Sequence, residues 1–356
     1  MLVVGTDCSG LETPLRALAA LGIGFTHAFA SDINQQCHLQ AKASGYSPQI
    51  FYKDLLTRDN ANALQVDVYV AGWPCQPNST AGTRRGKADP RSDVFLGCAR
   101  YIDQRNPKVY VLENVPGLLT VGRGEMWNHV MKTLRDCGDI GYYIHSSILN
   151  TEDHGVPQHR KRLYIVGIRS DVLCAPFTWP GALPAVSLHS VLDDAELDEV
   201  QRSLSRTCQR NVNRETARLK RQGGKPSQHS FVIDIDSSAN WCSVMLDRSP
   251  CVTRSRPYGF WLTDRCRRMT QREMLKLQGM APLAKNLANE KVVSDRQLGM
   301  MIGNAMSQNV LERLFVQILK SAFGVSVRDP WPNYVENMAS RRDVGHINAA
   351  KRRRLR

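Results

Sequence analysis

Cys75 stands in Gly72-Trp73-Pro74-Cys75-Gln76-Pro77-Asn78-Ser79, just past an apolar run and between two prolines. A lone cysteine is ordinarily a small buried hydrophobe. Here the flanking prolines fix the backbone on either side of the sulfur, which suits a presented nucleophile. A long polar stretch follows from Ser79 to Asp93, with Gly82 and Gly86 and the basic Arg84, Arg85, Lys87 and Arg91. A loop of that length in a compact domain is a functional lid or a disordered segment. A basic lid beside a thiol suits closure over a nucleic acid.

Two further groups could complete such chemistry. Glu113 ends the apolar run 108–112 and is followed by Asn114-Val115-Pro116-Gly117. A carboxylate in that position carries a desolvation cost, so Glu113 is a candidate proton donor. The competing reading is a carboxylate that caps the following turn. In Gln158-His159-Arg160-Lys161-Arg162, extended-chain alternation puts Arg160 and Arg162 on one face and Lys161 on the other. Paired guanidiniums can fix a carboxylate, a phosphate or a carbonyl oxygen. The competing reading is a salt-bridged sheet edge.

The elements that must position these residues are legible as alternating apolar runs and helical stretches. Strands are expected at Leu2 to Gly5, Ala28 to Ala30, Asp67 to Ala71, Lys108 to Leu112 and Arg162 to Val166, with a helix over 13–21. Continuous apolar strands between helices predict an α/β fold, a mainly parallel sheet covered on both faces. Ligands of such folds gather at the carboxyl ends of the strands. Asp32, Cys75 and Glu113 each fall just past an expected strand end.

Near residue 172 the texture changes. Pro176, Pro180 and Pro184 punctuate a linker. A helical stretch is expected over 188–222, with Asp193, Asp194, Glu196, Asp198 and Glu199 leading and basic residues following. Arg202, Arg206, Arg210, Arg214 and Arg218 recur at every fourth position, a stripe suited to phosphates or to solvent. Residues 224–258 read as polar and irregular, and regular patterns return over 269–277 and 295–320. The sequence ends Lys351-Arg352-Arg353-Arg354-Leu355-Arg356, expected to be a basic arm.

The chain has 356 residues, enough for one large domain and a smaller one, and carries 47 Lys and Arg against 33 Asp and Glu, a formal charge of +14. That surplus favours a polyanionic partner. None of the ten cysteines makes a C-x-x-C pair, so no metal is expected. No apolar run approaches membrane-spanning length, and Met1-Leu2-Val3-Val4 runs into Gly5 without a basic leader. The expectation is an intracellular monomer with no membrane partner, nuclear if the host is eukaryotic.

Taken in order, these motifs resemble the cytosine-C5 DNA methyltransferase family. Cys75 falls in its G-P-P-C-Q motif, with Trp73 for the first proline and Asn78 where phenylalanine is frequent. Glu113-Asn114-Val115 matches E-N-V, and Arg160 and Arg162 match Q-x-R-x-R. Asp89-Pro90-Arg91-Ser92-Asp93-Val94-Phe95 resembles D-x-R-G-x-L-F. Met269-Thr270-Gln271-Arg272-Glu273 through Leu277-Gln278-Gly279 resembles L-T-x-R-E…L-Q-G, and Gly303-Asn304-Ala305-Met306 resembles G-N-S-V. The first motif departs from F-x-G-x-G-G: Cys8 replaces the phenylalanine, Gly10 survives, and Glu12 and Thr13 replace the later glycines. The resemblance spans nearly the whole chain apart from about 172–260 and the tail.

The resemblance implies a Rossmann-like methyltransferase that moves a methyl group from S-adenosylmethionine to carbon 5 of a flipped-out cytosine in double-stranded DNA. Cys75 would be the covalent nucleophile, with Glu113, Arg160 and Arg162 as the other catalytic residues. The cofactor would lie against Cys8, Ser9, Gly10, Leu11, Asp32, Ile33, Asp54, Leu55, Pro74, Asn304 and Ala305. Gln76, Ser79, Arg84, Arg85, Lys87 and Arg91 would meet DNA. Residues 1–172, completed by 286–327, would form the catalytic domain, 173–285 a target-recognition region, and 328–356 the basic tail. Two alternatives share the motifs: a transfer-RNA methyltransferase of the same family, and a catalytically inactive DNA-binding homologue. The latter should have lost the cysteine or the glutamate.

Overall fold

The computed structural model describes residues 1–74, 92–193 and 204–338. Its centre is a seven-stranded sheet. The strands are β1 (Leu2–Asp7), β2 (Phe25–Ser31), β3 (Ile50–Tyr52), β4 (Val68–Ala71), β5 (Val109–Asn114), β6 (Tyr142–Asn150) and β7 (Lys161–Arg169), in the spatial order 3-2-1-4-5-7-6. The first five are parallel to one another, and β7 runs antiparallel to β5 and β6. The chain leaves β1 toward one edge and returns at β4 toward the other. That reversal opens a crevice at the carboxyl ends of β1 and β4.

Alternation explains how both faces are covered. Val68 and Val70 of β4, and Val109 and Val111 of β5, face a cluster with helices α1 (Thr13–Ala20) and α9 (Gln308–Phe323), through Leu15, Leu18, Leu311 and Phe315. Tyr69 and Tyr110 face the opposite side. There they pack with Phe95, Tyr101 and Leu134 from helices α3 (Ser92–Arg105) and α4 (Glu125–Arg135). Helix α2 (Gln35–Ala43) follows β2.

The second half holds more order than its composition predicts. Helix α5 spans Arg206–Arg221, capped by the Ser205 hydroxyl on the Cys208 amide, while residues 194–203 lie outside the described set and 188–190 form only a 3-10 turn. Residues expected to be irregular carry short strands: β8 (Phe231–Ile233), β9 (Val244–Leu246), β10 (Trp261–Leu262) and β11 (Arg267–Arg268). They form an antiparallel sheet ordered 11-10-8-9. Cys208 and Val212 of α5 pack on Ile233 and Ile235 at one side. Val232, Phe260 and Leu262 face helices α6 (Gln271–Leu277), α7 (Ala281–Glu290) and α8 (Asp295–Asn304) at the other. Strands this short leave no period for a sequence reading, and side-chain ion pairs fix them. Arg256 Nε meets Asp234 at 2.6 Å and Arg268 Nη2 meets Asp236 at 2.7 Å.

Segment 251–258 lies directly on α8. A Cβ on Gly303 would stand 2.1 Å from the Thr253 carbonyl carbon, and one on Gly299 would stand 1.9 Å from the Pro257 oxygen. Only glycine admits a backbone that close. Among the described residues no helix is long and apolar enough to cross a membrane.

Candidate active site

The β4–β5 register pairs Ala71 with Leu112, which carries Gly72 alongside Glu113 one step further. A Cβ at Gly72 would lie 3.4 Å from Glu113 Oε2 and 2.8 Å from Met306 Cε. Glycine therefore lets the chain that leads into Cys75 pass close to the carboxylate. The Asn114 side-chain amide donates to the Trp73 carbonyl at 3.4 Å. Trp73 itself is buried against Phe95, with ring centroids 5.4 Å apart. Glu113 is the penultimate residue of β5 rather than a residue past its end. Cys75, Gln76, Ser79, Arg84, Arg85, Lys87 and Arg91 lie outside the described residues.

The two arginines of β7 and its approach share a face, and Lys161 between them is exposed. Arg162 Nε lies 2.9 Å from Glu113 Oε1. The Glu113 carboxylate thus sits against a guanidinium rather than an apolar wall. Arg160 is 2% exposed and aims inward. It donates to the carbonyls of Val252 at 2.7 Å and Ala305 at 2.6 Å, and to that of Gly303 at 3.4 Å. Burial pushes its guanidinium below the usual range. Arg160 is therefore placed to fasten loops around the site, and Arg162 to face the cleft. Gln158 works with it: its side chain accepts from the Val252 amide at 2.8 Å and donates to the Leu277 carbonyl at 2.6 Å. Both guanidiniums also reach the sulfur of Cys251, a residue the motifs did not single out.

On the other side of the crevice, the turn after β1 is left-handed at Cys8 (φ 53°), Gly10 (φ 55°) and Glu12 (φ 52°). The Gly10 amide donates to Asp32 Oδ2 at 3.1 Å and the Asn34 amide to Oδ1 at 2.8 Å. The Cys37 thiol also bonds this carboxylate, which still leaves it acceptor capacity for a further donor. Burial raises the Asp32 carboxyl above its usual range. Ile33 beside it is 82% exposed. A Cβ at Gly10 would meet nothing nearer than its own turn's Cys8 carbonyl at 4.0 Å, so the turn is open there. Asp54 accepts from the Leu56 amide at 2.9 Å. Leu11, Leu55 and Ala305 are buried, whereas Asn304 is exposed at the end of α8. Cys8 is held neutral: burial first, then Cys98 and the charges of Asp7, Asp32 and Asp54, push its thiol well up. Its side chain packs, partly buried, against the core cluster that holds Tyr69 and Phe95.

Glu12 does not obstruct this cleft. Its side chain is fully buried and accepts the Thr6 hydroxyl at 3.0 Å, with His27 3.9 Å away. Burial pushes its carboxyl up to about 8. Beneath the turn lies a pair the sequence reading missed. Arg58 grips Asp7 with two hydrogen bonds of 2.7 Å, while Tyr69 and Ser31 donate to the same carboxylate at 2.6 and 2.7 Å. It ties the ends of β1, β2 and β4 to the 54–60 loop. Its signal was an aspartate ending an apolar strand, which demands a partner when buried.

The arginine stripe is partly spent internally. Arg214 and Arg218 both turn onto Glu215, at 2.7 and 2.6 Å. Arg206 and Arg210 are exposed, and Arg202 lies outside the described residues. Among the described residues no group of three or more His, Cys, Asp or Glu could hold a metal ion.

The family model described as C-5 cytosine-specific DNA methylase matches residues 8–320. The Type II methyltransferase M.NgoBI of Neisseria gonorrhoeae is 30% identical over 291 residues, 81% of this chain and 84% of its own. The Type II methyltransferase M.NlaIV of Neisseria lactamica is 30% identical over 212 residues, 58% of this chain and half of its own length. Among solved structures, a methyltransferase of Entamoeba histolytica, EhMeth, superposes with a TM-score of 0.64 at 18% identity, covering 90% of this chain and 98% of that one.

Proposed function

The chain belongs to the C-5 cytosine-specific DNA methylase family and is a DNA (cytosine-5)-methyltransferase, and we propose that it uses S-adenosylmethionine and a covalent bond from Cys75. The observation that carries this reading is the closeness of Glu113 and Arg162 to the Gly72–Pro74 segment that delivers Cys75.

The Cys75 thiolate adds to carbon 6 of cytosine, which makes carbon 5 nucleophilic. Glu113 donates to ring N3, so negative charge does not build on the ring. Arg162 donates to the carbonyl O2, while Arg160 holds the surrounding loops rather than the base. After the methyl group has moved, a water-derived base takes the proton on carbon 5, the freed electron pair re-forms the carbon 5–carbon 6 double bond and expels Cys75 as thiolate, and N3 returns its proton to Glu113. Covalent activation divides one difficult step into easier ones. The base must leave the duplex, because its two faces meet a thiol and a methyl donor.

S-adenosylmethionine supplies an electrophilic methyl group on a sulfonium. The residues present fit it. Asp32 has acceptor capacity for the ribose diol, exposed Ile33 offers an apolar face to adenine, and the open Gly10 turn admits close backbone approach. Cys8, Ser9, Leu11, Asp54, Leu55, Pro74, Asn304 and Ala305 border the same crevice in this reading.

Double-stranded DNA is the proposed partner. Gln76, Ser79, Arg84, Arg85, Lys87 and Arg91 would grip it from the loop after Cys75. The small sheet and α5, within 173–285, would read it, and exposed Arg206 and Arg210 suit phosphates. Residues 1–172 with 286–327 would be the catalytic domain and 328–356 a basic arm. Methyl transfer from labelled S-adenosylmethionine to duplex DNA, run beside transfer RNA, tests the assignment. Labelled 5-methylcytosine in DNA is expected, and label in transfer RNA alone would overturn it.

A further inference from the structure

The small sheet exposes one large aromatic side chain that the reaction does not use. Trp241 is 80% exposed; among the described large hydrophobics only Met1 and Ile33 are more so, and Ile33 stands beside Asp32 at the crevice. An indole left in water carries a free-energy cost, and no hydrogen bond among the described residues takes its N–H. A single exposed apolar residue is by itself ordinary. What sets Trp241 apart is how it is mounted and what stands beside it.

Trp241 stands in the loop 234–243 that joins β8 to β9, and that loop is pinned. Across its base the Asp234 amide donates to the Ser243 carbonyl at 3.0 Å, and the Cys242 thiol to the Asp234 carbonyl at 3.2 Å. From α5, Asn211 Nδ2 donates to the carbonyls of Ile235 and Ser237, both at 2.9 Å. From the 251–258 segment, Arg256 Nε meets Asp234 at 2.6 Å and Nη2 donates to Ser237 Oγ at 2.7 Å. That segment also supplies the Val252 carbonyl that takes Arg160, and Val252 and Arg256 are at most about 14 Å of chain apart. The loop is thus fastened to the strip of backbone that frames the active site. Its neighbours are basic. Cys242, next to Trp241, lies within hydrogen-bond reach of Arg214, so the loop borders the flank of α5 that carries the arginine stripe. Arg206 and Arg210 of that stripe are exposed, and neither has a carboxylate partner among the described residues.

We propose that Trp241 is a DNA-contact residue, its indole packing on sugars and base edges of the duplex while Arg206 and Arg210 hold the adjoining phosphates. Charge selects the occupant. Arg206 and Arg210 leave this flank cationic, in a chain of formal charge +14, and duplex DNA offers both the phosphates and the apolar surface that the patch lacks. A pinned loop loses little conformational freedom on binding, and a presented tryptophan is a residue type that carries a large share of interface affinity. The inference rests on the reading of 173–285 as the region that meets DNA, and it names the side chain through which the apolar contact is made.

The full chain is titrated with mixed-sequence duplex DNA over a range of salt concentrations. Trp241→Ala should bind about tenfold more weakly than wild type, with the slope of log affinity against log salt unchanged. Arg210→Ala should lower that slope by about one, the signature of a lost phosphate contact. The part of the tryptophan emission that Trp241→Phe removes should be quenched when DNA is added to the wild-type chain. The exposed position predicts a wild-type denaturation midpoint for Trp241→Ala; were that variant to unfold, the quenching alone would decide. Wild-type affinity in a folded Trp241→Ala chain, or Trp241 emission that DNA leaves unquenched, overturns the proposal and leaves the surface to a partner such as another protein. A wild-type chain that binds no duplex DNA would sink the underlying reading together with the proposal, whereas wild-type binding that ignores Trp241 sinks the proposal alone.

Discussion

Replacing Arg160 tests whether this arginine is a fastener rather than a substrate contact. Its guanidinium is 2% exposed and makes two short hydrogen bonds, to the carbonyls of Val252 and Ala305 at 2.7 and 2.6 Å. Hydrogen bonds from a charged donor contribute about 1.5–3 kcal/mol each, so the two together amount to roughly 3–6 kcal/mol. The Gly303 contacts at 3.4 Å add little. Arg160→Ala also removes a guanidinium whose burial is itself unfavourable, which places the expected loss near the lower end, about 3 kcal/mol. Arg160→Lys keeps one donor group that can reach one carbonyl well, so about half that loss is expected. Urea denaturation, followed by fluorescence, measures both. An Arg160→Ala protein within about 1 kcal/mol of wild type, or a lysine variant as stable as wild type, would refute the fastening role.

Three further outcomes follow from the site. Glu113→Gln should slow methyl transfer far more than it weakens binding of S-adenosylmethionine; equal losses in single-turnover rate and in cofactor affinity would count against its role at N3. Gly303→Ala forces a methyl group to 2.1 Å from backbone of the 251–258 segment and should cost about 3 kcal/mol or more; a variant as stable as wild type contradicts that packing. Glu12 predicts a pH dependence. Its folded carboxyl titrates at about 8 against an ordinary 4.5, so between those values the folded chain holds a proton that the unfolded chain has lost. Stability therefore falls as pH rises from about 5 to about 8, and Glu12→Gln should flatten that slope. Denaturation curves with the same slope for both proteins would rule this out.

Five strands of the central sheet, β1, β2, β4, β5 and β7, were legible because they are continuous apolar runs; β3 was not, being only three residues long, nor β6, whose polar, half-exposed residues make no apolar run. The boundaries moved by one to three residues, as at β2, where Phe25 to His27 join a strand whose apolar centre is Ala28 to Ala30. The shared face of Arg160 and Arg162 followed from simple alternation. Their division of labour did not, because it depends on carbonyls at 252 and 305, far away in sequence. The small sheet was illegible for the same reason. Its strands of two or three residues have no period, and they are held by Asp234–Arg256 and Asp236–Arg268 pairs formed across more than twenty positions. The arginine stripe was correctly periodic, yet periodicity could not say that Glu215 would take up Arg214 and Arg218. Cys251 carried no motif at all, and only folding placed it between two guanidiniums.

The claim on which all of this turns is that the sulfur at position 75 bonds to the target base. Duplex DNA containing 5-fluorocytosine, incubated with the chain and S-adenosylmethionine, blocks loss of the group on carbon 5 and should leave a stable protein–DNA adduct. Peptide mapping should find the adduct on Cys75, and Cys75→Ala should form none. No adduct with the wild-type chain, or an adduct that persists in Cys75→Ala, would contradict the account.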